Sequence, residues 1–312
     1  MSTSILVAGS SNTDMVVKTA SLPAPGETVL GGRFFMNPGG KGANQAVAAA
    51  RLGGAVALIA KLGDDIFGVQ ALEHFKKEDI DCRYIRIDKH AASGVALITV
   101  DEKGENSIAV APGANALLEP GDIVRAREAI HAAKIILTQL EIPLPTVEKL
   151  VDLAAEAGKR VILNPAPARD LPGDLLSQLF LITPNESEAA ILTGIPITDL
   201  DSATQAATAL AARGVPFVII TLGRNGALVW DGKTATHLPA PPVTVVDTTA
   251  AGDVFNGALA VALAEGMSIT EAAIFANHAA ALSVTRLGAQ SSAPTHAETA
   301  AFIEQTRRKP RP

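Results

Sequence analysis

KIILTQLEIPLPTVEKLVDLAAEAGKRVIL, residues Lys134–Leu163, is a self-contained strand–helix–strand unit. A β-branched apolar run from Lys134 to Thr138 gives way to helical spacing from Thr146 to Ala157. Gly158 then stands where a helix end favours a left-handed residue, and a second β-branched run fills Arg160 to Leu163. Strands joined through a helix of that length pair in parallel, because a tight turn cannot bring the chain back in the same direction. The same alternation recurs outward from this unit. Strand patterns lie at Ser4–Ala8, Val56–Ala60, Leu181–Thr183 and Phe217–Thr221. Helical ones lie at Ala43–Leu52, Gly68–Glu78, Ile123–Ala133, Ala203–Ala212, Val254–Glu265 and Thr270–Val284, and several end at Gly53, Gly214 or Gly266. The expectation is an α/β, doubly wound fold with a mostly parallel central sheet and helices on both faces.

Two regions break the rhythm. Residues 15–37 and 93–111 hold strand pairs joined by Pro, Gly and acidic turns with no helix between them, and they predict a small antiparallel β lid. The whole chain, 1–312, then forms one domain with a cleft between lid and sheet, where ligands of open α/β proteins bind.

Bulk properties exclude several classes. A net charge of −6 gives no field for nucleic acid or an anionic membrane, and Cys82 alone permits no intrachain disulfide. The N-terminus has no basic flank or long apolar region of the signal-peptide kind, and the apolar run Ala258–Ala264 is far short of a membrane span. A cytoplasmic protein is expected. The basic tail Arg307–Pro312 reads as a solvated end. Cys82 reads as a packing residue, and the histidines show no metal spacing.

Three stretches place a strand end before a helix start, a natural anion site. The first, GSSNTD, lacks the GxGxxG of dinucleotide binders. The second, PGGKGANQAVAAARLG from Pro38 to Gly53, has Phe35 and Gly42 where a P-loop needs Gly and Ser/Thr. The third, VVDTTAAGDVFNGA from Val245 to Ala258, sets three small residues before a helix, so that an anion can reach backbone amides, with Asp253 in the first turn. Asp253 can serve there as a helix cap or as a base. The glycines at 39, 40 and 42 allow close backbone approach, Lys41 and Asn44 offer polar partners, and Asn12 and Asp14 share a face if extended. Such a ring suits a polyhydroxylated ligand, although turn formation and a solvated loop account for these residues equally well.

With those residues in view, the sequence resembles the family of sugar and nucleoside kinases that includes ribokinase, fructokinase and adenosine kinase, in its ribokinase branch. Both family signatures are present, as GGKGANQAVAAARLG and DTTAAGDVFNGA, and SNTD, PAPGETV, TQLE, LNPAPAR, TPNESE, TLGRNGA and VTRLGAQ follow in family order over essentially the whole chain. The resemblance implies ATP-dependent phosphorylation of D-ribose at its 5-hydroxyl, with a kinase for 2-deoxyribose or another small sugar as the alternative, and a non-catalytic sugar sensor as a further one. It implies Asp253 as catalytic base and the amides of Ala250, Ala251 and Gly252 as anion hole. Asn12, Asp14, Gly40, Lys41, Asn44 and Glu141, with Asp253, match the positions that hold the sugar.

Asn185, Thr221, Gly223, Gly252 and Asn277 match ATP positions, and Glu188 matches an indirect magnesium position. Asp247, Thr249, Ser283, Arg286, Gly288 and Ser292 match a loop that holds potassium, mostly through carbonyls. Mg2+ with ATP, K+ as activator, and a homodimer through the lid complete what the resemblance implies. Phosphoryl transfer asks chiefly for positioning and charge stabilisation, which such an arrangement supplies. A carboxylate at a helix start is expected to stay ionised near neutral pH.

Overall fold

The computed structural model describes residues 4–308; most of the basic tail, 309–312, lies outside the described residues. The strands are β1 (Ile5–Ala8), β2 (Asn12–Lys18), β3 (Arg33–Gly39), β4 (Val56–Gly63), β5 (Ile85–Asp88), β6 (Gly94–Val100), β7 (Asn106–Ala111), β8 (Ile135–Thr138), β9 (Arg160–Leu163), β10 (Leu181–Ile182), β11 (Phe217–Thr221), β12 (Ala227–Trp230) and β13 (Ala235–Leu238). The α-helices are α1 (Lys41–Arg51), α2 (Ile66–Lys77), α3 (Pro120–Arg125), α4 (Arg127–Ala132), α5 (Leu144–Glu156), α6 (Gly173–Ser177), α7 (Glu186–Thr193), α8 (Leu200–Ala212), α9 (Ala251–Ala264), α10 (Ile269–Ser283) and α11 (His296–Arg308).

Nine strands form one sheet in the order β13-β12-β11-β10-β9-β8-β1-β4-β5, parallel except at β11–β12 and β12–β13. β1 shows why these strands read as unbroken apolar runs. Ile5 and Val7 enter the core beneath α1, α9 and α10, while Leu6 and Ala8 enter the core beneath α3, α5 and α8. A strand buried on both faces has no polar side to alternate with. No described helix is long and apolar enough to cross a membrane.

The small sheet has the order β3-β2-β6-β7. Its hairpins β2–β3 and β6–β7 are antiparallel, as expected, and they join through a parallel pairing of β2 with β6. The first hairpin begins at Asn12 rather than Met15, so Asn12 and Asp14, expected at the end of the first core strand, belong to the small sheet. The stretch expected as one helix over Ile123–Ala133 is two, broken where Ala126 adopts φ −94°, ψ 13°. β5, the β12–β13 hairpin, α6, α7 and α11 add elements that sequence periodicity did not mark.

α1 and α9 lie against each other at a point where neither can carry bulk. A Cβ on Gly257 would come within 2.8 Å of the Ala48 Cβ and 2.9 Å of the Ala49 nitrogen and Gln45 oxygen. Gly257→Ala therefore sets a helix-propensity gain of about 1 kcal/mol against overpacking of about 1–3 kcal/mol. We expect a net loss of stability in urea unfolding; an unchanged or higher midpoint would show that the two helices separate at no cost.

Candidate active site

The site lies where β1, the small sheet, α1 and α9 converge. β3 ends at Gly39, and Gly40 is the residue before α1, at φ 86°. A Cβ on Gly40 would lie 2.7 Å from the Asn12 nitrogen, so only glycine lets this turn press against the start of β2. α1 thus begins at Lys41, two residues earlier than its periodicity suggests, and brings Lys41, Asn44 and Gln45 to the cleft.

Asp253 is buried in the first turn of α9 and does not cap it. The preceding position is Ala250, a non-glycine residue at φ 59°, ψ 15°. Instead, Asn44 Nδ2 donates to Asp253 Oδ2 at 2.9 Å and Gln45 Nε2 donates to Oδ1 at 2.9 Å. Both carboxylate oxygens are therefore held from a neighbouring helix, which removes the capping alternative. Burial pushes its carboxyl above the ordinary range; Lys41 and the two amide donors act downward, and Glu141 acts upward. The helix start alone thus does not keep this carboxyl at its usual acidity.

Beside it, the Ala251 amide donates to the Thr248 carbonyl at 3.2 Å. Among the described residues the amides of Ala250, Gly252 and Asp253 have no protein acceptor. A Cβ at Gly252 would meet open space. The expected anion hole therefore offers its donors chiefly from Ala250 and Gly252, with the Asp253 amide as an addition.

The remaining residues of the expected sugar ring are gathered here. Glu141 Oε2 accepts from Ser10 Oγ at 2.5 Å and from the Lys41 amide at 3.0 Å. The Asp14 carboxylate packs over Gly39, where a Cβ would come within 2.3 Å of both its oxygens. Asn12 Oδ1 accepts from Asn115 Nδ2 at 2.8 Å, which leaves the Asn12 amide hydrogens as its open polar groups. Lys41 has its pKa raised: burial alone would lower it, and Asp253, Glu141 and Glu188 outweigh that.

On the other side, Asn185 and Glu188 form a reciprocal cap on α7, Asn185 Oδ1 accepting from the Glu188 amide at 2.8 Å and Glu188 Oε2 from the Asn185 amide at 2.9 Å. Burial raises the Glu188 carboxyl, as does Asp253, against Lys41 and its backbone bond. Thr221 pairs with Asn185 across a single β-bridge, and Gly223 follows at φ 52°. A cavity of about 680 Å³ opens beside them, lined in part by Glu186, Leu222, Arg224, His237 and Pro239. Asn277 is buried in α10 with Nδ2 donating to the Pro239 carbonyl at 3.0 Å, so it borders this cavity through Pro239.

Of the six expected cation positions, three meet directly. Asp247 Oδ1 accepts from the Thr249 amide at 2.9 Å and its hydroxyl at 2.6 Å, and Oδ2 accepts from the Gly288 amide at 2.9 Å. Against burial, those bonds and Lys18 hold the Asp247 carboxyl below its ordinary value. Ser283 and Ser292 are fully buried, each hydroxyl turned back onto a local carbonyl, and the Arg286 side chain pairs with Glu298. Among the described residues no group of three or more His, Cys, Asp or Glu is arranged to hold a metal ion. Carboxylate, hydroxyl and carbonyl oxygens are the donors that suit a hard cation, and a soft metal has no ligand set here.

The model of the pfkB family carbohydrate kinases matches residues 2–296. The chain belongs to the pfkB family of carbohydrate kinases. Within it, a ribokinase of Haemophilus influenzae is 43% identical over 97% of this chain and 99% of that protein. A deoxyribokinase of Salmonella typhi is 39% identical over 93% of this chain and 95% of that protein. The structure of Arabidopsis thaliana ribokinase complexed with ribose and ATP matches with a TM-score of 0.90 at 32% identity, covering 97% of this chain and 99% of that one.

This pfkB-family site also contains residues that sequence reasoning did not single out. Asn115 fixes Asn12; Gln45 and Gln290 grip Asp253 and Asn44; Asn164 accepts from Gln45 Nε2 at 3.0 Å. GANQA places Gln45 one residue from Asn44, and VTRLGAQ ends on Gln290, which are signals; Asn115 carries none, since its partners lie far off in sequence.

Asp14 pays for its position. Burial, with repulsion from Glu141 and Asp253, pushes its carboxyl from 3.8 up to about 6. A carboxyl whose folded pKa exceeds its unfolded one takes up a proton on folding, so its penalty grows as pH rises from about 4 to about 6 and is full above that. Asp14→Asn should therefore stabilise the ligand-free protein at pH 7.5 by roughly 1–3 kcal/mol, the gain vanishing toward pH 4. Urea unfolding at both pH values checks it; a gain that is equal at the two would contradict the raised pKa.

Proposed function

We propose that this protein transfers the γ-phosphoryl group of ATP to the 5-hydroxyl of D-ribose, giving D-ribose 5-phosphate and ADP. One observation carries the reading: a buried carboxylate, Asp253, is held by two amides in the first turn of the helix whose unpaired backbone amides can receive an anion. Asp253 takes the hydroxyl proton as the sugar oxygen bonds to phosphorus and the bond to the departing ADP oxygen breaks. Its raised pKa brings the base nearer to neutrality, where proton acceptance is most effective. The amides of Ala250 and Gly252, with that of Asp253, take the charge that develops on the phosphoryl oxygens, the Ala251 amide being held by Thr248. Asn12, Asp14, Gly40, Lys41, Asn44 and Glu141 pair the remaining hydroxyls, each of which is costly if buried alone. Asn185, Thr221, Gly223 and Asn277 receive the nucleotide. The ribokinase and deoxyribokinase relatives and the ribose–ATP complex support this reading.

Mg2+ bound with ATP supplies neutralising charge to the phosphates, and Glu188 is the side chain available to order its shell. Asp247, Thr249, Ser283, Arg286, Gly288 and Ser292 would hold K+ beside the anion hole and so fix its shape. The small sheet acts as the lid of a single domain, excluding water that would otherwise accept the phosphoryl group. A reducing cytoplasm suits the single cysteine.

The deoxyribokinase relative gives the alternative sugar a specific footing. Rates over a panel of pentoses and hexoses with Mg·ATP separate the two: ribose should lead, and a tenfold preference for 2-deoxyribose would transfer the assignment. Asp253→Asn should cut turnover on the order of a hundredfold while sparing ATP binding. Replacing potassium with sodium should lower the rate, and indifference would remove the cation loop.

A second copy is the partner proposed for the lid. Its sheet exposes Phe34, Leu97, Ile108 and Val110, each more than half exposed, and ends in two open edge strands, β3 and β7. Light scattering should give twice the chain mass; a monomer at working concentration would reject this.

A further inference from the structure

Behind Asp253 runs a chain of contacts whose polarity is dictated from its inner end. The carboxylate only accepts, so Asn44 must turn its NH2 toward Oδ2, as it does at 2.9 Å. Asn44 Oδ1 then faces outward and accepts from Gln290 Nε2 at 3.0 Å. Gln290 is thereby oriented with Oε1 toward His74, whose Nε2 stands 2.8 Å away and must carry the proton. The backbone of Gln290 is pinned as firmly as its side chain. Arg51 Nη1 donates to the Gln290 carbonyl at 2.7 Å, while Arg51 itself is clamped by Glu78 through contacts of 2.6 and 2.9 Å. Arg51 is the last residue of α1, the helix that carries Asn44, and Gln290 is 2% exposed.

We propose that Gln290 is a positioning residue for phosphoryl transfer: it fixes the orientation of the Asn44 amide, and through it the direction in which the Asp253 carboxylate faces. The inference rests on Asp253 being the base, as read above. If Gln290 cannot donate, the Asn44 amide loses its outer anchor and is held from the Asp253 side alone, so the direction in which the carboxylate faces is no longer fixed. Gln290 lies between Gly288 and Ser292, so the segment proposed to hold a cation touches the base through one side chain and one intermediary. Beyond Asn44 and Gln45, the charged groups that face Asp253 are Lys41, Asp14, Glu141 and Glu188; those near Gln290 are His74, Arg51 and Glu78.

The test uses the full-length protein, with steady-state sugar phosphorylation measured across pH. Gln290→Met removes the donor and should lower kcat about tenfold with the KM for ATP within about twofold. Gln290→Glu only accepts, so it should draw the Asn44 NH2 away, lower kcat further and move the acid limb of the pH–rate profile upward by about half a unit or more. In an Asn44→Ala background, Gln290→Met should change kcat less than about twofold, because its effect passes through Asn44. Wild-type rates with an unmoved acid limb, or a full tenfold loss repeated in the Asn44→Ala background, would overturn the proposal. A readout on the unmodified protein does not depend on any variant folding: nitrogen NMR should find neutral His74 protonated on Nε2, and the Nδ1-protonated tautomer would break the chain. A wild-type protein that phosphorylates no sugar would refute the kinase reading and leave the tautomer result standing.

Discussion

A carboxylate taken out of water must be given donors, and here both its oxygens are satisfied by consecutive residues of one helix. Asn44 and Gln45 reach Asp253 only because α1 and α9 nearly touch, and they nearly touch only because Gly257 faces Ala48 and Ala49. The small residues of both stretches therefore serve two ends at once. They leave the backbone at Ala250–Gly252 open to the anion proposed there, and they let two helices close up behind it.

The electrostatic balance of the ligand-free site is unfavourable to folding. Asp253, Glu141 and Glu188 act on Lys41, Glu141 and Asp253 repel Asp14, and burial adds to the cost of these charges. A protein tuned for stability alone would carry amides at some of these positions.

Much of this was legible in the sequence where the signal is local. Parallel strands buried on both faces announce themselves as apolar runs, and the lid hairpins as strand pairs without a helix between them. The β12–β13 hairpin is unmarked by periodicity although Asp231-Gly232 lies in its turn, because each of its strands is only four residues long. Asp253 stood out by its small neighbours, yet its role as cap or base was undecidable until partners from residues 44 and 45 appeared, more than 200 positions away. Gln290 closes the stretch VTRLGAQ without a role attached to it, and Asn115 has no pattern to betray it. A buried amide is chosen by the shape and polarity of a three-dimensional neighbour, and no spacing in the chain records that.

The break between β1 and β2 has a mechanical meaning. β1 ends at Ala8, and four residues later β2 begins with Asn12 and carries Asp14 outward into the small sheet. On the proposed reading, the strand that would sense a hydroxyl is also the arm that carries the sheet. A tilt of that sheet would take the sensor with it, so recognition and gating would move as a single lever about the connection at residues 9–11.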